Sequence, residues 1–183
     1  MEPMSVLFDR ILGTDDNERE GAYLKAIDRP PSSLEIYPEW SRLEEMLVHK
    51  NNHVRSIGGK LFSFVASGDP EGRIWSLWES WKAVASDKMF VTARHTIQAS
   101  PRFATAGPMH RRKLIEYYAD RFRSCSAEKN TSLIRYDIQV CLREVYNQYP
   151  DPLVSSLARD LIAEESDPKY QAKYKTAWKN VSA

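Results

Sequence analysis

Asn52-His53-Val54-Arg55, Val91-Thr92-Ala93-Arg94 and Ser132-Leu133-Ile134-Arg135 each place an apolar residue before an arginine at the head of a stretch with helical spacing. Arg55 and Arg94 are 39 residues apart, Arg94 and Arg135 41 apart. Two of the stretches match further: Arg94 and Gln98 are echoed by Arg135 and Gln139, with Arg102 and Arg143 beyond them. A spacing near 40 residues that also keeps register predicts helical hairpins stacked in chain order, each burying its apolar side on the next.

Working outward, apolar residues keep the helical period along most of the chain. Trp40, Leu43, Met46 and Leu47 form one stripe and Val54, Ile57, Leu61, Phe62 and Val65 the next, with a turn at Lys50-Asn51-Asn52. Ile74, Trp78, Trp81 and Ala85 pair with Val91 and Ile97, whose helix is predicted to end or kink near Ser100-Pro101, because proline lacks a donor and crowds the turn before it. Ile115, Tyr118 and Phe122 precede the strongest stripe, Ile134, Ile138, Cys141, Leu142, Val145 and Tyr149. Leu153, Val154, Leu157, Ala158, Leu161 and Ile162, then Tyr170, Tyr174, Trp178 and Val181, complete the pattern. Val6 to Leu12 and Asp16 to Asp28 read as shorter helices that cap the first hairpin. No run alternates apolar and polar residues long enough for a strand, so the predicted class is all-α.

Prolines punctuate this pattern. Pro38, Pro70, Pro108 and Pro152 open helical stretches, where the missing N–H costs nothing. Asp69, Asp151 and Asp167 precede prolines as N-caps, and Ser32 with Glu35 has capping-box spacing.

The chain has 183 residues, of which 42% are hydrophobic and 28% charged, ordinary values for a chain that folds. Residues 1–50 carry 6 Lys/Arg against 11 Asp/Glu, about −5, and residues 51–183 carry 20 against 14, about +6, so the formal +1 hides an asymmetry. The start, Met1-Glu2-Pro3-Met4-Ser5, lacks the pattern of a signal peptide, and no segment approaches a membrane span. Cys125 and Cys141 have neither zinc spacing nor a dense disulfide pattern, which predicts a cytoplasmic protein.

The hairpin length and the residues Asn52-His53-Val54-Arg55, Asp87 with Ala93-Arg94, and Asn130 with Leu133-Ile134-Arg135 resemble the HEAT and armadillo repeat family. The resemblance implies a right-handed α-α superhelix of about four hairpins over residues 36–182, preceded by a helical cap over 1–35, in one domain of 1–183. It also implies a ladder in which each arginine pairs with an acidic residue near an inter-helix turn. Asp87 fits this loosely, Asn stands at 52 and 130, and the last hairpin has Lys169-Tyr170 where the apolar-Arg pair falls, so Arg55 and Arg135 need other partners.

Arg94, Gln98, Arg135, Gln139 and Arg143 lie at helical offsets of four, so each set projects from one side of its helix. Stacked hairpins turn the sets into adjacent rows, a basic strip suited to carboxylates or phosphates. The competing reading pairs Arg94 and Arg135 internally with Asp87, Asp137 or nearby carbonyls. Residues 88–123 hold eight Lys/Arg, the concentration a nucleic-acid ligand would need, weighed against a plain solvated face. Trp78 and Trp81 read as packing, and Trp75 is open. Trp75, Phe64 and Tyr117 fall off the stripes, where they would form an exposed patch for a second copy. His49 and His53 have helical ligand spacing across a turn with no third ligand. Gly58-Gly59 predicts close helix approach. No nucleotide, nucleophile or metallopeptidase motif is present.

The expectation is a non-catalytic scaffold without cofactor or metal that uses Arg94, Gln98, Arg135, Gln139 and Arg143 on a protein partner with an acidic or polar surface. The alternative is a nucleic-acid-binding protein similar to the HEAT-like alkylpurine DNA glycosylases, with Asp137 as the candidate acid.

Overall fold

The computed structural model describes residues 2–180; Val181 and the end of the last predicted hairpin lie outside them. The described residues are predominantly helical, with no strand among them. They form two compact units, residues 1–106 and 107–183.

The first unit opens with α1 (Met4–Leu12) and α2 (Asp16–Ile27), packed on each other. Asp15 accepts the Asn17 and Glu18 N–H groups at 2.8 and 3.0 Å and caps α2. A short α3 (Ser33–Ile36) follows. Ser32 makes no side-chain cap bond and Glu35 pairs with Arg29 at 3.1 Å, so the predicted capping box is not formed. Next come α4 (Trp40–Val48), α5 (Asn52–Val65), α6 (Trp78–Val84) and α7 (Phe90–Ala99). Beyond α7 the chain tightens into a 3-10 segment, Ser100–Ala106, where Pro101 cannot continue the α-helical ladder.

Hairpin packing follows the predicted pairs. α4 packs against α5, α6 against α7, first helices α4 and α6 adjoin, and second helices α2, α5 and α7 lie in sequence. Gly58 and Gly59 set the closeness. A Cβ on Gly58 would stand 2.8 Å from Met46 Cβ on α4, and one on Gly59 would stand 2.6 Å from Thr96 Oγ1 on α7. Trp81 is buried, and its Nε1 donates to the Gly59 carbonyl at 3.2 Å. Phe62, Trp78 and Phe103 stack around it with centroid distances of 5.1 to 6.2 Å. Trp75 joins edge-on to Trp78 and Phe103 at 6.1 and 5.6 Å. Phe64 and Tyr117 are buried, so the predicted exposed aromatic patch is absent at both positions. Asp69 begins no helix; it accepts from the Tyr37 hydroxyl and the Ile74 N–H, pinning the turn ahead of the 3-10 stretch Arg73–Leu77.

The second unit has α8 (Pro108–Ser124), α9 (Thr131–Gln148), α10 (Pro152–Ala163) and α11 (Pro168–Ala177). Again successive hairpin partners pack, α8 adjoins α10, and α9 adjoins α11. Asp151 and Asp167 cap α10 and α11 by accepting the Leu153 and Lys169 N–H groups at 2.9 Å each. Gly107, at φ +147°, precedes the N1 proline of α8 in a conformation that a side chain would strain.

Candidate functional site

Arg55 and Arg135 are each tied to an acid in the turn of the following hairpin. Arg55 on α5 donates from Nε and Nη2 to Asp87 at 2.6 and 3.1 Å, and from Nη1 to the His49 carbonyl at 2.7 Å. Asp87 also accepts the Met89 N–H at 2.8 Å. Arg135 on α9 donates to Glu165 at 3.1 Å and to the Phe122 carbonyl at 3.0 Å, while Glu165 accepts the Asp167 N–H at 3.1 Å. Each acid thus receives the preceding second helix and the backbone of its own turn. Burial pushes Asp87 and Glu165 up. In Asp87 the Arg55 and Met89 hydrogen bonds outweigh it, in Glu165 those from Asp167, Arg135 and Tyr174, so both carboxyls sit below the usual range. Asp87 therefore serves Arg55, 32 residues upstream, and Glu165 is the partner of Arg135 that the sequence pattern did not disclose.

In the first unit a polar recess of about 270 Å³ opens where α2, α5 and α7 adjoin. Arg19 forms its inner side and is engaged through all three nitrogens: it donates to the Ile11 and Gly13 carbonyls at 3.0 and 2.6 Å and to Asp16. Lys60 from α5 has a side chain only 17% exposed. Its ammonium stands 3.9 Å above the Tyr23 ring and 3.9 Å from Glu20, too far for a hydrogen bond, and it donates no hydrogen bond among the described residues. Burial lowers the Lys60 pKa, against the pull of Glu20. Burial likewise raises Tyr23, with the Arg102 charge opposing and the Glu20 charge adding. His53 and His95 stand exposed on the rim, on α5 and α7. Two cations, Arg19 and Lys60, face two anions, Asp16 and Glu20, across the recess.

Arg94 and Gln98 lie on α7, half-buried and exposed respectively, with Gln98 one turn beyond His95 and the Arg94 guanidinium 5.5 Å from the Phe90 ring. Arg135, Gln139 and Arg143 belong to the second unit and turn toward α10 and α11. Gln139 is 0% exposed, accepting from Trp178 Nε1 at 2.9 Å and donating to the Ala158 carbonyl at 3.4 Å. Arg135 covers the Phe122 ring at 4.7 Å, and Arg143 is half-buried beside Tyr146 and Trp178 at 5.8 and 5.7 Å. The open strip expected along 135, 139 and 143 is instead largely interior at its first two positions, because the last hairpin closes over that side of α9. Lys60, Glu20, Tyr23 and His95 were not picked out by motif. The available signal was Lys60 as the one charged residue in the otherwise uncharged run Ile57 to Ala66.

Several cations of the 88–123 segment are paired. Arg121 binds Glu128 bidentately at 2.6 and 2.9 Å, and Arg123 binds Glu164 at 2.7 to 3.2 Å. Lys113 meets Glu116 at 2.9 Å and Arg111 covers the Tyr149 ring at 4.0 Å. Asp137 is 4% exposed. Both cysteines are buried and unbridged, and burial pushes the Cys141 thiol up. His49 Nδ1 accepts the Asn51 N–H at 3.1 Å, and among the described residues no three His, Cys, Asp or Glu gather in a way that would hold a metal ion. No helix among them is long and apolar enough to cross a membrane.

These features define an all-helical protein whose helical hairpins pack in chain order within each unit, with a polar recess on the α2–α5–α7 wall. No family model, curated protein or solved structure matches the chain.

Proposed function

We propose that the chain is a HEAT-like α-solenoid acting as a non-catalytic interaction module, with the wall of α2, α5 and α7 receiving an acidic or polar surface of a protein partner. The repeat reading is supported by the hairpin order and by the rungs Arg55–Asp87 and Arg135–Glu165, which join a second helix to the next hairpin's turn in both units. The binding reading is carried by the recess, where Lys60 holds a charge with its donors uncommitted among the described residues. Arg94 and Gln98 extend that wall along α7; Gln139 and Arg135 serve the internal packing of the second unit. The buried, unbridged Cys125 and Cys141 suit a reducing compartment such as the cytoplasm.

The test is quantitative capture from the native host with the wild-type chain and with the double variant Arg94→Glu/Gln98→Glu. One stoichiometric protein should be retained by the first and lost by the second, while helical circular dichroism and melting temperature stay the same. Equal retention by both chains would remove α7 from the binding surface.

A further inference from the structure

Resting on that reading of the α2–α5–α7 wall, we infer that the recess is an anchor for a single carboxylate, supplied by an aspartate or glutamate side chain of the partner, with Lys60 as its principal ligand and His53 and His95 as its rim.

The geometry carries this in three steps. The recess, at about 270 Å³, falls below the usual range for pockets that enclose whole small molecules, and suits one side chain entering from a larger surface. The Lys60 ammonium donates no hydrogen bond among the described residues and is held by the Tyr23 ring at 3.9 Å in place of a tight ion pair. An ammonium has three N–H donors, and Glu20 at 3.9 Å takes none of them in a hydrogen bond, so an incoming oxygen gains bonds without displacing a protein acceptor.

Charge selects the form of the anion. From α2 the recess is faced by Asp16, Arg19 and Glu20; from α5 by His53 and Lys60; from α7 by His95. Asp16 is tied to Arg19, which leaves Glu20 and Lys60 as the charges lining the recess, with Arg102 acting on the neighbouring Tyr23. A dianionic phosphate next to Glu20 meets more repulsion than a carboxylate monoanion does.

Acetate is the probe. The full chain is titrated with sodium acetate against sodium chloride at constant ionic strength, following the His53 and His95 ring Cε1–H signals by NMR. The expected result is a saturable shift of both, weakened roughly tenfold in Lys60→Met, which keeps the aliphatic stem, and weakened in His53→Gln. Linear, non-saturating shifts in the wild type would overturn the inference whether or not the variants fold. Tighter saturation by phosphate than by acetate would overturn the carboxylate assignment. The titration needs no partner, so it stands apart from the capture experiment: saturation by acetate with capture unaffected by the α7 variant leaves the anchor and removes the wall. Loss of capture in the α7 variant without acetate saturation does the reverse.

Discussion

Gly58 and Gln139 show how much a single position decides here. A methyl on Gly58 would meet Met46 Cβ at 2.8 Å and the Met46 carbonyl carbon at 3.0 Å, so α4 and α5 would have to separate. Replacing glycine by alanine inside a helix normally gains about 1 kcal/mol. Overpacking against backbone typically costs about 1–3 kcal/mol. Gly58→Ala is therefore expected to lower the stability of the chain, read as a lower urea midpoint with unchanged slope. Gln139→Ala leaves the buried Trp178 Nε1–H without its acceptor, and a lost buried hydrogen bond of this kind costs about 1–3 kcal/mol. A clear drop in melting temperature is the expected outcome, whereas a residue serving an outside partner would leave it unmoved.

At the scale of elements, the two rungs make stability depend on acid. The Asp87 and Glu165 carboxyls titrate below their ordinary values in the folded chain. Their contribution is complete above the unfolded carboxylate range, near 4, and is lost as pH falls through the lower folded values. Urea midpoints measured from about pH 6 down to about pH 2 should fall, and Asp87→Asn should fall less steeply because it removes one of the titrating groups. At neutral pH, Asp87→Ala leaves the Arg55 guanidinium, with a side chain only 15% exposed, without its carboxylate and uncaps the Met89 N–H, and should destabilise by about 3 kcal/mol. The same logic explains why the elements were legible before their partners were. Helix starts at Pro108, Pro152 and Pro168 and the end near Ser100 follow from local backbone chemistry, and they fall where the sequence places them. The Ser32–Glu35 box does not form although Ser32 has the extended backbone of an N-cap: its side chain makes no cap bond, and the Glu35 carboxylate is drawn to Arg29 by a contact the local pattern does not encode.

Across the whole molecule, the charge pattern argues against a phosphate-backbone ligand. Arg121, Arg123 and Lys113 are each committed to a carboxylate, and displacing those partners offsets the gain from counterion release. Random duplex DNA is accordingly expected not to bind at about 50 mM salt in a fluorescence anisotropy titration, and salt-sensitive binding would revive the nucleic-acid alternative. The class and the hairpin pairs were written locally, in a 3.6-residue apolar period and in turn residues whose preferences act over a few positions. Which polar residues stayed open was not. Arg135 and Gln139 repeat the spacing of Arg94 and Gln98, yet a hairpin some 30 residues later covers them, and Lys60 became a candidate ligand only because Tyr23 and Glu20 came from another helix. Periodicity assigns a side chain to one side of its own helix, while burial and pairing depend on what packs there, and that was decided by tertiary structure alone.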